Sequence, residues 1–159
     1  MMPHPKGNSP CSFFQQFSRL LLVLALPGLC WAGLGGDENS VQADQARMGA
    51  SVRITRNPGY AVHELQAPGG PVVREYVSPS GTVFGVAWQG TSKPDLQQLL
   101  GDHFEEVQQA MPGRAARRGP VVIHEPGLVF EMGGHMRAVA GRAYLPQLLP
   151  SGVQADAIR

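Results

Sequence analysis

The fold of this chain is decided by the stretch Thr82-Val83-Phe84-Gly85-Val86-Ala87-Trp88-Gln89. Alternate residues of a β-strand point to opposite sides of a sheet. One side of this strand is bulky and carries Thr82, Phe84, Val86 and Trp88. The other side is small and carries Val83, Gly85 and Ala87. Glycine inside a strand often marks the close approach of another element, so we expect one to pack on the small side.

Similar short strands are predicted on both sides of this one, separated by turns rich in glycine and proline. Those before it are Ser51–Arg56, Tyr60–Leu65 and Val72–Val77. Further along, Val121–His124 and Leu128–Met132 predict a hairpin about Pro126-Gly127, followed by a Gly133-Gly134 turn and strands at His135–Ala140 and Ala143–Leu145. The order predicts two antiparallel meanders.

The element expected on the small side is a helix at Ser92–Met111. Its apolar residues recur at the spacing of one helix face, and these are Leu96, Leu99, Leu100, Phe104, Val107 and Met111. A shorter helix is predicted at Ser40–Met48, with Ser40 as N-cap and Gly49 as terminator. The sequence therefore predicts an α+β fold, with an antiparallel β-meander sheet and one main amphipathic helix packed on it.

The first 32 residues have the order of parts of an export signal. Lys6 and Arg19 precede the apolar run Leu20–Leu26, and Ala32 ends a cleavage site before Gly33. We therefore expect 1–32 to be a cleaved signal peptide, 33–50 a flexible leader and short helix, 51–146 a single domain, and 147–159 a C-terminal tail. The protein is then periplasmic or secreted, and its mature chain has no transmembrane span.

Cleavage would also remove both cysteines of the chain. A mature chain without thiols excludes disulfides, zinc–thiolate sites and cysteine nucleophiles. Loss of Lys6 and Arg19 takes the formal net charge from +1 to −1. A balanced charge gives no case for nucleic-acid binding, which needs a basic patch.

Catalytic motifs are missing from the sequence, which has no nucleophile elbow, phosphate loop or dinucleotide fingerprint. We assign no catalytic residue, and His135 with Glu131 is the only acid–base pair worth nominating. The same two residues with His124 are weak metal candidates, because histidine and carboxylate suit divalent metals but no metal-binding spacing is present. The sequence predicts no cofactor.

A candidate binding surface is indicated by His135, Arg137, Arg142 and Tyr144, which are close in sequence. Two arginines on neighbouring extended segments could hold a carboxylate or an acidic residue of a partner. Arg74 and Tyr76, on one side of the third strand, belong to the same candidate surface. The alternative is an ordinary polar strand face, or Arg–Glu pairs with Glu75 or Glu131.

Several strings of the mature chain together resemble a known family. They are Ala32-Gly33-Leu34-Gly35-Gly36, His63-Glu64-Leu65, Val73-Arg74-Glu75-Tyr76-Val77-Ser78-Pro79, Val83-Phe84-Gly85-Val86-Ala87-Trp88, Pro94-Asp95-Leu96, Leu99-Leu100-Gly101, Gly133-Gly134-His135-Met136-Arg137-Ala138 and Gly141-Arg142-Ala143-Tyr144-Leu145-Pro146. The family is an uncharacterised one of exported proteobacterial proteins, domain of unknown function 2844. The resemblance implies a Gram-negative envelope location and another exported protein as companion. It implies no activity.

Three function classes remain open after this survey. A non-catalytic envelope domain that binds another exported or envelope protein is favoured, because catalytic motifs are missing and an open sheet edge can dock a partner. The alternative is a small-ligand or metal-binding module that uses His135, Arg137, Arg142 and Tyr144. An enzyme is the least favoured class.

Overall fold

Seven strands form one antiparallel sheet in the computed structural model, which describes residues 33–111 and 119–159. The predicted signal peptide, 1–32, lies outside the described residues. The strands are β1 Ser51–Asn57, β2 Tyr60–Gln66, β3 Val72–Val77, β4 Val83–Gly90, β5 Val121–Glu125, β6 Leu128–His135 and β7 Ala138–Tyr144. The described helices are α1 Glu38–Met48, α2 Leu96–Leu100 and α3 Phe104–Ala110. The prediction of a single α+β domain is confirmed.

The strand order places β4 in the middle of the sheet. The order is β1-β2-β3-β4-β7-β6-β5, so β4 pairs with β3 on one side and with β7 on the other. After β4 the chain passes through α2 and α3 and re-enters the sheet at its far edge, as β5. The two predicted meanders therefore meet at β4, and their first strands form the two edges.

The helices pack on the bulky side of β4 and not on its small side, which corrects the prediction. Val86 and Trp88 share a buried cluster with Leu99, Leu100 and Val107 of the helices. The large side chains of β4 need this apolar cover more than the small ones do, because burial stabilises in proportion to the apolar area removed from water. We call this side of the sheet the helix face.

The opposite side of the sheet carries Gly85 and Ala87 and is covered by the end of the chain. The side chain of Ile158 is 0% exposed and shares a buried cluster with Ala87, Tyr76 and Phe84. We call this side the tail face. Phe84 reaches it through a β-bulge, because Tyr76 pairs with Gly85 and Val77 pairs with Val83, which leaves Phe84 as the extra residue.

The main helix is shorter than predicted and is interrupted. It begins after Asp95, whose carboxylate accepts hydrogen bonds from the backbone N–H groups of Gln97 and Gln98. Between α2 and α3 the residues Gly101–His103 form a 3₁₀ turn. In α1 the N-cap is Asp37 instead of Ser40, and the helix ends at Gly49 as predicted.

The segments at both ends of the described chain pack on the sheet. Leu34 is 4% exposed, and the backbone N–H of Gly35 donates to the carbonyl of Val83 at 2.8 Å. The predicted flexible leader is therefore a hydrogen-bonded segment. The tail is likewise packed, with 3₁₀ turns at Pro146–Leu148 and Ala155–Ala157.

The last hairpin turns three residues later than predicted. β6 continues through Gly133 and Gly134 to His135, which pairs with Ala138. The turn lies at Met136 and Arg137, and Arg137 has a φ of 65°. Gly133 and Gly134 are therefore residues of β6 and do not form the turn. They leave this part of the strand without side chains.

Candidate functional site

Four of the six residues of the predicted binding surface meet on the tail face. Arg74 of β3 and Arg142 of β7 are both register partners of Ala87 in β4. Two residues further along β3 and β7, Tyr76 and Tyr144 are both register partners of Gly85. Two arginines and two tyrosines thus flank the small residues of the central strand, one pair on each side.

Each arginine is held by a glutamate on the neighbouring strand. Arg74 Nε donates to Glu64 Oε2 at 2.9 Å, and Arg142 Nε donates to Glu131 Oε2 at 2.9 Å. In both cases the two residues are direct register partners. The hydrogen bond from Arg74 lowers the pKa of Glu64, and that from Arg142 lowers the pKa of Glu131.

The same arginines and Tyr76 also bind the backbone of the tail. Arg142 Nη1 donates to the carbonyl oxygens of Ala155 at 3.0 Å and Ile158 at 3.3 Å. The Tyr76 hydroxyl donates to the backbone oxygen of Arg159 at 2.8 Å and accepts from its N–H at 3.0 Å. Arg74 Nη1 donates to the same oxygen at 3.3 Å. The surface therefore binds backbone groups of an irregular peptide segment.

The other two residues of the predicted surface lie elsewhere. His135 ends β6, and its Nδ1 lies 3.2 Å from the carbonyl oxygen of Met136. Arg137 is in the hairpin turn, and both side chains are exposed. The structure thus does not bring His135 and Arg137 together with Arg142 and Tyr144. Their closeness in sequence was misleading because the β6–β7 turn falls between the two pairs.

The weak metal candidates are only partly brought together. His124 Nε2 lies 3.5 Å from Glu131 Oε1, whereas His135 is at the far end of β6. Within 33–111 and 119–159 no three residues of the metal-binding types cluster closely enough to hold an ion. Glu131 is engaged by Arg142 and His124, so the nominated acid–base pair of Glu131 with His135 does not form.

A buried pair of carboxyl groups on the helix face was missed. Asp44 of α1 and Glu75 of β3 are each 0% exposed, and Gln98 Nε2 donates to Asp44 Oδ1 at 2.8 Å. Burial, reinforced by the neighbouring Asp44, raises the pKa of Glu75 well above its usual value, and burial raises that of Asp44 as well. Repulsion between two buried carboxylates favours the neutral form of Glu75.

The sequence held a signal for this pair. Asp44 interrupts the apolar side of α1 between Val41 and Met48, and Glu75 alternates with Val73 and Val77 on the buried side of β3. Carboxyl groups at two positions where the pattern calls for apolar residues predict a buried polar contact between them. His63 is also buried on this side of the sheet, with Nε2 at 3.4 Å from Glu38 Oε1. Burial lowers its pKa.

Two clefts of similar size flank the end of the tail on the tail face. One, of about 510 Å³, is lined by Val122, Glu131, Arg142 and the glycines of β6. The other, of about 500 Å³, is lined by Thr55, Glu64, Arg74 and Tyr76. Gln89 and Arg159 border both clefts. Both volumes are in the range of small-molecule and peptide side-chain sites.

Comparison with protein families gives one match, to Protein of unknown function (DUF2844), over residues 30–158. The chain belongs to this family. The matched range includes every described residue except Arg159, so the DUF2844 region contains the sheet, the helices and nearly all of the tail. Searches of curated proteins and of solved structures gave no match.

Two segments that carry the resemblance have different places in the DUF2844 fold. Gly133–Ala138 forms the tip of the β6–β7 hairpin, whereas Gly141–Pro146 contains the second half of β7, which pairs with Gly85–Trp88 of β4. Arg142 and Tyr144 lie in the second segment, beside the tail. No helix in the described part of this DUF2844 chain is long and apolar enough to cross a membrane.

Proposed function

We propose that this DUF2844 chain is an exported, non-catalytic domain of the cell envelope that binds an extended segment of another envelope protein on its tail face. The observation that carries the proposal is the set of hydrogen bonds from Arg74, Tyr76 and Arg142 to peptide backbone. Side chains that satisfy backbone carbonyl and N–H groups bind a peptide without regard to most of its side chains.

The clefts beside the tail support this choice of surface. They extend the concave region to both sides of residues 157–159 and expose Arg53 and Val122 at its borders. A partner segment lying there would contact charged groups of both signs and one apolar edge. Mixed polar and apolar contacts of this kind are typical of non-obligate protein interfaces.

Export is supported by the N-terminal sequence alone. The charged start, the run Leu20–Leu26 and the small residue before Gly33 are the parts that signal peptidases recognise. The absence of cysteine from residues 33–159 is compatible with an oxidising compartment. Fractionation of the host cell and N-terminal sequencing test this part. A mature chain that begins near Gly33 supports it, and an intact Met1 in the cytosol contradicts it.

Site-directed photo-crosslinking in the native host tests partner binding. A photoreactive residue at Val122, which is 59% exposed on the tail face, is expected to crosslink one envelope protein. The matched control is Ile54, which is 47% exposed on an edge strand but faces the other side of the sheet. Mass spectrometry should place the crosslink in an extended segment of the partner. Equal products from both positions would contradict the proposal.

A second candidate function is supported by the 510 Å³ cleft. A small anionic ligand could bind there beside Arg142, whose Nη1 donates to the tail and whose Nε is paired with Glu131. This is the small-ligand alternative, without the contributions of His135 and Arg137 that the sequence suggested. A thermal-shift screen of small carboxylates against wild type and Arg142→Ala separates it from partner binding.

A further inference from the structure

The last five residues, 155–159, are attached to the sheet through side chains. Every hydrogen bond that joins them to a strand, among the described residues, has Arg74, Tyr76 or Arg142 as one partner. No backbone–backbone bond links residues 155–159 to a strand in the described part of the chain. The segment is therefore bound as a ligand is bound, by recognition groups, and is not a strand of the sheet.

The groups that receive the segment are positioned independently of it. Glu64 holds Arg74 and Glu131 holds Arg142, each at 2.9 Å, and these pairs are part of the sheet register. Bidentate or multiply bonded arginines lose little further freedom when they bind a carbonyl. Removal of the segment would leave a preorganised site with both arginines in place.

The segment occupies only part of the concave region. Clefts of about 510 and 500 Å³ lie on its two sides, and both are bordered by Arg159. If the segment moved away, the two clefts would join beside Gln89, which borders both. The resulting trough could take a longer or bulkier segment than the one that now lies in it.

The contacts define the chemistry of an occupant. An aliphatic side chain fits the socket over Gly85, where Ile158 is 0% exposed. Tyr76 recognises the backbone of the following residue, and Arg142 the carbonyl three positions before the aliphatic residue. Asp156 is exposed, and its negative charge helps to raise the pKa of Arg142. The side chain of Arg159 is exposed and is free to vary.

We propose that residues 155–159 are an intramolecular pseudo-ligand, and that the partner segment has the same chemistry and must displace them. The expected partner sequence is a small residue, an acidic residue, a small residue and an aliphatic residue in succession. This inference rests on the proposed function and adds the partner motif and its regulation to it. Only molecules whose tail is displaced can bind the partner. The apparent affinity is therefore the intrinsic affinity multiplied by the fraction of these open molecules.

Fluorescence anisotropy with a labelled peptide tests the inference. The probe is the ten-residue peptide Pro-Ser-Gly-Val-Gln-Ala-Asp-Ala-Ile-Arg, which copies residues 150–159. It is titrated with the full mature chain, as wild type and as Ile158→Asp. The variant cannot fill its own socket with an apolar side chain, so it should bind the peptide about tenfold more tightly or better. Adding Arg142→Ala to the variant, or replacing isoleucine by aspartate in the peptide, should remove the binding.

Leu148→Asp is the matched control, because Leu148 is an aliphatic tail residue that is 40% exposed and outside the socket. It should bind the peptide as weakly as wild type does. A folded Ile158→Asp variant that binds no better than wild type overturns the inference. If that variant does not fold, hydrogen exchange of wild type decides, because saturating peptide must speed exchange in residues 155–159, and unchanged exchange overturns the inference.

The inference and the proposed function fail in different ways. A partner that crosslinks at Val122 equally well in wild type and in Ile158→Asp leaves the proposed function standing and overturns the pseudo-ligand. Peptide binding in vitro without any crosslinked partner in the host supports the pseudo-ligand site and contradicts the proposed function.

Discussion

The side chain of Ile158 is in direct contact with Gly85, since a Cβ added at Gly85 would lie 2.8 Å from Cδ1 of Ile158. This distance is below that of real carbon contacts, so a side chain at position 85 would force the Ile158 side chain to move. The small side of β4, formed by Gly85 and Ala87, therefore leaves the space in which the end of the chain packs.

The first prediction concerns this contact. Gly85→Ala should lower the free energy of unfolding by about 1–3 kcal/mol, because the new methyl group overpacks the socket. Combining it with Ile158→Ala should cost less than the sum of the two single changes, because the shortened side chain no longer meets the methyl group. Urea unfolding measures both. Gly127→Ala is the control, since a Cβ at Gly127 meets no atom within 4 Å. Strict additivity would contradict the contact.

The second prediction concerns the buried pair of Glu75 and Asp44. The pKa of Glu75 in the folded state is raised above its ordinary value of 4.5, chiefly by burial. The unfolded chain therefore releases this proton first as the pH rises. Stability is full below about pH 4.5 and falls by up to about 1.4 kcal/mol per pH unit above it, until the folded pKa is passed. Glu75→Gln cannot ionise, so it should be more stable than wild type near neutral pH.

The matched control for that prediction is Glu64→Gln. The pKa of Glu64 is lowered by the hydrogen bond from Arg74, so its contribution to stability has the opposite sign. That contribution is present above the unfolded pKa and is lost as the pH falls through the folded one. Urea midpoints from about pH 2 to pH 8 should flatten in Glu75→Gln on the neutral side and in Glu64→Gln on the acid side, below about pH 4.5. Parallel curves for wild type and Glu75→Gln would refute the raised pKa of Glu75.

The third prediction concerns the guanidinium group of Arg142. Arg142→Lys keeps the charge but cannot contact Glu131 and the carbonyls of Ala155 and Ile158 together. It should cost about 1–3 kcal/mol and expose residues 155–159 to carboxypeptidase. Arg53→Lys should change stability by less than about 1 kcal/mol, because the Arg53 side chain is 78% exposed in its ion pair with Glu64. Equal digestion of the two variants would show that Arg142 does not hold the tail.

The fourth prediction concerns the helix face. Leu100 is 0% exposed, so Leu100→Ala should cost about 2–5 kcal/mol. Phe104→Ala should cost less than the usual loss for a core aromatic, because Phe104 is only partly buried against the cluster. Thermal melts of the two variants measure the difference. A larger loss in the phenylalanine variant would mean that the interrupted helix packs through α3 more than through α2.

The sequence alone was sufficient for the class of fold and most strands, because alternation and Gly/Pro turns are local signals. It was not sufficient to choose the face on which the helix packs. That choice depends on the bulge at Phe84 and on the competition between Ile158 and the helix for the small side. In the tail Ile158 is fully buried and Leu149 and Val153 are partly buried, and residues at this irregular spacing have no periodicity to detect.

The candidate site was predictable residue by residue but not as a group. Arg74, Tyr76, Arg142 and Tyr144 were identified as polar strand residues, yet only the strand order brings β3 and β7 to either side of β4. Pairing between strands that are distant in sequence is a non-local property. His135 and Arg137 were included because they are near in sequence, and the position of a two-residue turn separated them from the rest.

The place of β4 in the strand order has a consequence for the folding route. Its second neighbour, β7, is the last strand of the chain, so the first meander can form while one side of β4 still has no partner. That unpaired strand contains Val83, Phe84, Val86 and Trp88. An apolar strand with an open edge can pair with the strand of another chain, which leads to aggregation. The interval between synthesis of β4 and arrival of β7 is therefore when the protein is most prone to aggregate, and when a holding chaperone would help it most.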